Sequence, residues 1–139
     1  MTDDRVPDGG PALLHMTLLL GEFAICRLPA GSVLPEWATT GAFSSVSWTS
    51  DEISVVCEQA AVPAGVKSDA GWRAFKVAGP MDFSLTGILL SIAKPLADAE
   101  IGIFAVSTFD TDYVLVKEVS LDAVVVALTE FGHRVVRSD

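Results

Sequence analysis

The chain has 139 residues and a formal net charge of −9, with half its residues apolar and 19% charged. That length excludes a large multidomain assembly, and the composition excludes long disordered tails and a solvated all-helical scaffold. The negative field repels phosphate backbones and anionic headgroups, which excludes nucleic acid and membrane surfaces as natural partners.

Residues 1–11 carry Asp3, Asp4 and Asp8 without an apolar run, so they read as a disordered acidic tail and not as a signal peptide or anchor; the expected location is cytoplasmic. Leu13–Leu20 and Phe23–Leu28 flank Gly21-Glu22 and predict two strands, or one strand bent at the glycine. Pro29-Ala30-Gly31 stops them, and Ser32 caps a short turn through Pro35-Glu36-Trp37. Phe43–Trp48 and Glu52–Cys57 alternate apolar and polar residues around Thr49-Ser50-Asp51, the pattern of a hairpin. Cys26 and Cys57 lie inside these runs with no CxxC spacing and no histidine beside them, which favours buried thiols over a disulfide or metal pair. Residues 61–71 lack periodicity and read as a linker between a first half, 12–60, and a second, 72–139.

Trp72–Ala78 alternates and ends at Gly79-Pro80, a strand and its turn. Leu85, Ile88, Leu89, Ile92, Leu96 and Ala99 then mark one face of a helix, with Asp82 or Ser84 placed to cap it and Pro95 inside it, which predicts a kink near Ser91–Pro95. Ile101–Ser107 and Tyr113–Lys117 read as strands around Thr108–Asp112. Ser120 caps a second helix bearing Leu121, Val124, Val125 and Leu128, Gly132 closes it, and Arg134–Arg137 is a last strand. The order β-α-β-β-α-β predicts an α+β, ferredoxin-like second half, an antiparallel four-stranded sheet with two helices on one face, beside a smaller degenerate first half.

Three stretches resemble the ACT domain: Val77-Ala78-Gly79-Pro80-Met81-Asp82-Phe83-Ser84-Leu85-Thr86-Gly87, Lys94-Pro95-Leu96-Ala97, and Ser107-Thr108-Phe109-Asp110-Thr111-Asp112-Tyr113-Val114-Leu115-Val116. With Leu18–Leu28 and Ser45–Cys57, they look like the subgroup of short two-ACT proteins related to cytosolic arginine sensors. The resemblance implies binding without catalysis, since ACT domains take small molecules, usually amino acids, between two ACT units. Gly79, Pro80, Met81, Asp82, Ser84, Leu85 and Thr86 match the loop that wraps the ligand, and Thr108 belongs to the same implied set. Asp112 matches the carboxylate that receives the ligand's ammonium group, and Ile101, Gly102 and Ile103 match the strand start contributed by the adjoining unit. Glycine permits close backbone approach, and free N–H groups at a helix start favour a carboxylate. Glu100 departs from the family's glycine at that position. The implied partners are a free amino acid, a second copy of the chain in a homodimer, and a protein partner; no cofactor and no metal are assigned.

Asp110 and Asp112, two residues apart, also admit a metal or acid–base pair, although aspartates in such a turn more often cap backbone N–H groups. A small ferredoxin-like enzyme using either as general base is therefore the alternative class, and a purely structural, partner-binding ACT pair is another. His15 and His133 stand alone and read as solvated or edge residues, and Trp37, Trp48 and Trp72 as core or interface anchors. Ser84 and Thr86 lack the Gly-x-Ser-x-Gly setting of a nucleophile.

Overall fold

The alternating runs become strands, and all of them join one sheet. The computed structural model describes residues 13–78 and 85–138, with side chains from residue 87 in the second stretch. In chain order the elements are β1 (His15–Leu18), β2 (Phe23–Pro29), β3 (Ser45–Trp48), β4 (Glu52–Glu58), β5 (Lys67–Ala78), α1 (Leu85–Asp98), β6 (Phe104–Ser107), β7 (Asp112–Lys117), α2 (Leu121–Phe131) and β8 (Arg134–Arg137). The sheet runs β3-β4-β2-β5-β1-β8, and β7, with β6 beyond it, pairs the other edge of β5.

Strand β5 is the axis of this arrangement. Its 12 residues are about twice the usual strand length, because two partners share it. Lys67–Trp72 pairs β2, whereas Phe75–Ala78 pairs β1 on one side and Trp72–Lys76 pairs β7 on the other. The segment expected as a linker is therefore half strand: Lys67–Gly71 is exposed and polar, yet its backbone completes the ladder with β2. With β2, β3 and β4 it gives the first half the order β3-β4-β2-β5, that of a ferredoxin-like unit whose helices have shrunk to the 3-10 turns Glu36–Thr39 and Gln59–Ala61.

The second half departs from a simple four-stranded sheet. Strand β1, grouped by the sequence reading with the first half, sits between β5 and β8, antiparallel to one and parallel to the other. Leu14, Met16 and Leu18 bury one face of it in the core that Ile88, Ile92 and Leu96 of α1 and Leu121, Val124 and Leu128 of α2 cover. A second core, around Ala24, Cys26, Ile53, Val55 and Cys57, lies under the 3-10 turns. Where the two halves meet, Phe23, Phe43 and Val56 pack against Ala74 and Leu115, and the Phe43 ring stacks on Tyr113 with centroids 4.1 Å apart. Trp37 and Trp72 pack at the edges of these cores, whereas Trp48 is 62% exposed and anchors none of them.

The helix ends follow backbone chemistry. Helix α1 runs through Pro95 and closes with Glu100 N–H donating to Ala97 O (2.9 Å) and Ile101 N–H donating to Leu96 O (2.9 Å), a Schellman motif with Glu100 at φ 61°. Gly132, at φ 115°, closes α2 as expected, while Ser120 makes no side-chain cap bond and instead ends the 3-10 turn Glu118–Ser120. Proline has no N–H to give the Ser91 carbonyl one turn back. His133 supplies it: Nε2–H donates to Ser91 O at 2.7 Å, and Nδ1 accepts from Leu14 N–H at 3.0 Å. His133 is thus 3% exposed and not the solvated residue its isolation in the sequence suggested, whereas His15 is exposed.

Candidate functional site at the start of β7

The β6–β7 turn is held by one threonine. Thr108 N–H and its hydroxyl both donate to Thr111 O (2.8 and 3.0 Å), and Thr111 N–H donates back to Thr108 Oγ1 (3.2 Å). These bonds put Phe109 and Asp110 at the exposed tip. Asp112 then opens β7 opposite Ser107, and it is only 2% exposed. Its position alternates with Val114 and Val116, so it stands on the helix-covered face, at the end of the sheet where β5 finishes at Ala78 and α1 starts at Leu85. Asp110 and Asp112 are therefore not a pair: one is solvated in the turn and the other is buried in the sheet.

The Asp112 Oδ2 atom is buried and has no hydrogen-bond partner among the described residues. A buried carboxylate oxygen without a partner is costly, and the group that relieves it best is a cationic donor. Beside it, the Thr111 hydroxyl donates to the Val77 carbonyl, tying the turn to the end of β5. Thr111 stood in the stretch Ser107–Val116 that resembles the ACT domain, but the sequence reading gave it no role.

Gly79, Pro80, Met81, Asp82 and Ser84, with the side chains of Leu85 and Thr86, lie outside the described residues. Ile101, Gly102 and Ile103 precede β6, which starts at Phe104 and not at Ile101 as expected. Ile101 and Ile103 pack, half-buried, against this chain's own helix-side core, and Gly102 has open space where a β-carbon would stand.

The first half repeats the hairpin. Thr49 N–H and hydroxyl donate to Glu52 O (2.9 and 3.1 Å), and Glu52 N–H donates to Thr49 Oγ1 (3.0 Å). Thr49 thus corresponds to Thr108, Glu52 to Thr111, and Ile53 to Asp112. Ile53 is 1% exposed in an apolar core, so the position that holds a carboxylate in one half holds a hydrocarbon in the other.

Two further groups of chemistry-bearing side chains stand elsewhere in the fold. A groove of about 610 Å³ at the far end of β1 contains Glu22, Glu58 and Arg73, but the Arg73 guanidinium already reaches Glu118 Oε1 at 3.0 Å and Leu19 O at 3.3 Å. Burial pushes the Cys57 thiol up to about 12, with Cys26 and Glu58 adding to the shift, and burial raises Cys26 as well; neither is poised as a nucleophile.

The fold is a pair of ferredoxin-like units that share one strand. A family model described as ACT domain matches residues 67–130, and a second, described as an N-terminal domain, matches residues 21–65. The chain belongs to the ACT-domain proteins. An Agrobacterium tumefaciens protein of known structure is 40% identical over 92% of this chain and 96% of its own, with a TM-score of 0.88. The human cytosolic arginine sensor for mTORC1 subunit 1 is 40% identical over 58 residues, 41% of this chain and 18% of that protein. The regulatory subunit of aspartate kinase from Thermus thermophilus shares the fold at a TM-score of 0.61 and 10% identity, covering 87% of this chain and 99% of its own. Among the described residues no helix is long and apolar enough to cross a membrane.

Proposed function

We propose that this chain is a cytoplasmic regulatory ACT protein that binds a free amino acid without transforming it. The observation that carries the reading is Asp112, a buried carboxylate whose Oδ2 has no hydrogen-bond partner among the described residues, placed where β5 ends and α1 begins. The ligand's ammonium group sits on Asp112, and its carboxylate meets backbone N–H groups in the segment Gly79–Thr86. Ile101, Gly102 and Ile103 of a second copy close the site, so the working form is a homodimer that acts through a protein partner. The likeness to the arginine sensors supports an amino acid as the ligand class and makes L-arginine the first to try. Because Ile53 replaces the carboxylate in the first half, each chain provides one such carboxylate position.

A thermal-shift screen of the twenty standard amino acids, followed by calorimetric titration of any that stabilise, tests this directly. Asp112→Asn keeps the shape but removes the charge, and a charge-assisted bond contributes about 1.5–3 kcal/mol, so affinity should fall roughly tenfold to hundredfold with the fold intact. Equal affinity in the variant sinks the ammonium assignment. No response to any amino acid turns the reading toward a structural, partner-binding ACT pair, and consumption of the ligand turns it toward an enzyme.

A further inference from the structure

Strand β8 ends the sheet beside β1, and its outer edge pairs no strand among the described residues. Arg134 N–H donates to Leu14 O and Ser138 N–H to Leu18 O, both at 2.9 Å, so the even-numbered residues here turn their backbone groups toward β1. Alternation then turns the N–H and carbonyl of Val135 and Arg137 outward. Side chains alternate as well. Val135 packs against the helix-side core, whereas Arg134 and Val136 stand on the opposite face, where Val136 is 45% exposed. The edge therefore offers backbone donors and acceptors within the sequence Arg-Val-Val-Arg.

The charges around this edge are unusual for the chain. It has 9 lysines and arginines against 18 aspartates and glutamates. Arg27, Arg73, Lys94 and Lys117 each hold a carboxylate, that of Glu52, Glu118, Asp98 and Asp69 respectively. Lys67, Lys76, Arg134 and Arg137 make no ion pair among the described residues. Lys67 lies at the far end of β5, but the other three gather here: Lys76 stands opposite Thr17 on β1, and Arg134 opposite His15. A protein of net charge −9 thus keeps three unneutralised cations within two strands of one open edge. Charged residues at an open edge deter pairing between copies. Carboxylates would do that as well and are twice as common in this chain, so guarding alone gives no reason for arginine. A second copy is a poor occupant, because an antiparallel pair of β8 strands would gather four arginines along a ladder four residues long, between molecules that each carry −9.

We infer that the open edge of β8 is a docking site for an extended acidic segment of another protein. The segment adds as a strand, placing carboxylates against Arg134 and Arg137 and apolar side chains against Val135 and Val136. Acidic-apolar-apolar-acidic is the pattern that complements this edge. Backbone bonds to Val135 and Arg137 supply affinity, and the arginines select the partner. The inference goes beyond the amino-acid reading and uses no residue of the Asp112 site, so the two stand or fall separately.

The probe is a fluorescein-labelled peptide, Ser-Glu-Val-Val-Glu-Ser, titrated with the full chain and followed by anisotropy. It should bind saturably, and more weakly as sodium chloride rises. The same peptide with lysine at both glutamate positions should not bind. Neither should one with proline at both valine positions, which has no N–H to donate there. Arg134→Gln combined with Arg137→Gln should weaken binding roughly threefold to thirtyfold, the range of two exposed ion pairs. Arg134→Glu combined with Arg137→Glu should exchange the preference and bind the lysine peptide. Hydrogen–deuterium exchange in wild type should slow at residues 135 and 137 when the glutamate peptide is present. Absence of binding, equal binding of the lysine peptide, binding that survives the prolines, or protection confined to other strands each overturns the inference. If wild type binds no peptide while the glutamine variant self-associates in sedimentation, the arginines only guard the edge and the inference falls. Should the glutamate variant fail to fold, wild type and the three peptides still decide.

Discussion

At Glu100 the backbone takes φ 61°, the left-handed region in which a β-carbon is strained. The Schellman closure of α1 demands that conformation at this residue, and glycine meets the demand without strain. Glu100→Gly should stabilise the protein by about 1 kcal/mol, read as a higher urea midpoint at unchanged slope. A lower midpoint would mean that the glutamate side chain does more than occupy the turn. His133 gives the opposite kind of sensitivity. Burial holds its imidazole below the ordinary value of 6.5, with the bond to Ser91 O opposing in part, and the neutral ring must accept from Leu14 N–H. The unfolded chain therefore binds a proton more readily than the folded one. Stability from this residue is complete above about pH 6.5 and declines as pH falls below it. His133→Gln should flatten the part of the pH–stability curve just below pH 6.5 while lowering stability at pH 8; an unaltered slope in urea titrations would refute this account.

Periodicity and caps locate elements well when their partners are near in sequence. The apolar face of α1, the Gly132 stop after α2 and both hairpins were legible because each is written within about a dozen residues. The buried aspartate was legible only through the family resemblance, since nothing in its spacing separates it from Asp110. Three features were not legible, and each for a long-range reason. Lys67–Gly71 is a strand by virtue of its neighbour β2, not its own composition. His133 is buried because a proline 38 residues earlier leaves a carbonyl open, and the bond that fills it spans 42 residues. Strand β1 joins the sheet of the second half because β5 and β8 both offer it an edge. Residues 72–139 alone lack β1, whose Met16 and Leu18 fill the helix-side core, so we expect that fragment not to fold by itself. That fragment should give a collapsed NMR spectrum, and a dispersed one would show that β5 and β8 can pair without it.

On the scale of the whole molecule, β5 belongs to both halves and an aromatic cluster joins them, so neither half has a free boundary at which to separate. Heating should give one transition with calorimetric and van't Hoff enthalpies in agreement; two resolved peaks would contradict a shared core. Two copies each carrying −9 repel, so the proposed homodimer should be favoured by salt. Sedimentation velocity at low and moderate sodium chloride tests this, and a monomer under every condition, with or without amino acids, would count against the dimer. The position of β1 also bears on how the protein is made. Its parallel neighbour β8 lies so far along the chain that the bond from Leu14 to His133 spans 119 residues. A ribosome adding about 5–20 residues each second leaves β1 with a bare edge for roughly 6–24 seconds before its partner emerges. The nascent protein is therefore most vulnerable to proteases and chaperone capture late in synthesis, and slow-translating codons just ahead of β8 should lower its yield more than the same codons after β2.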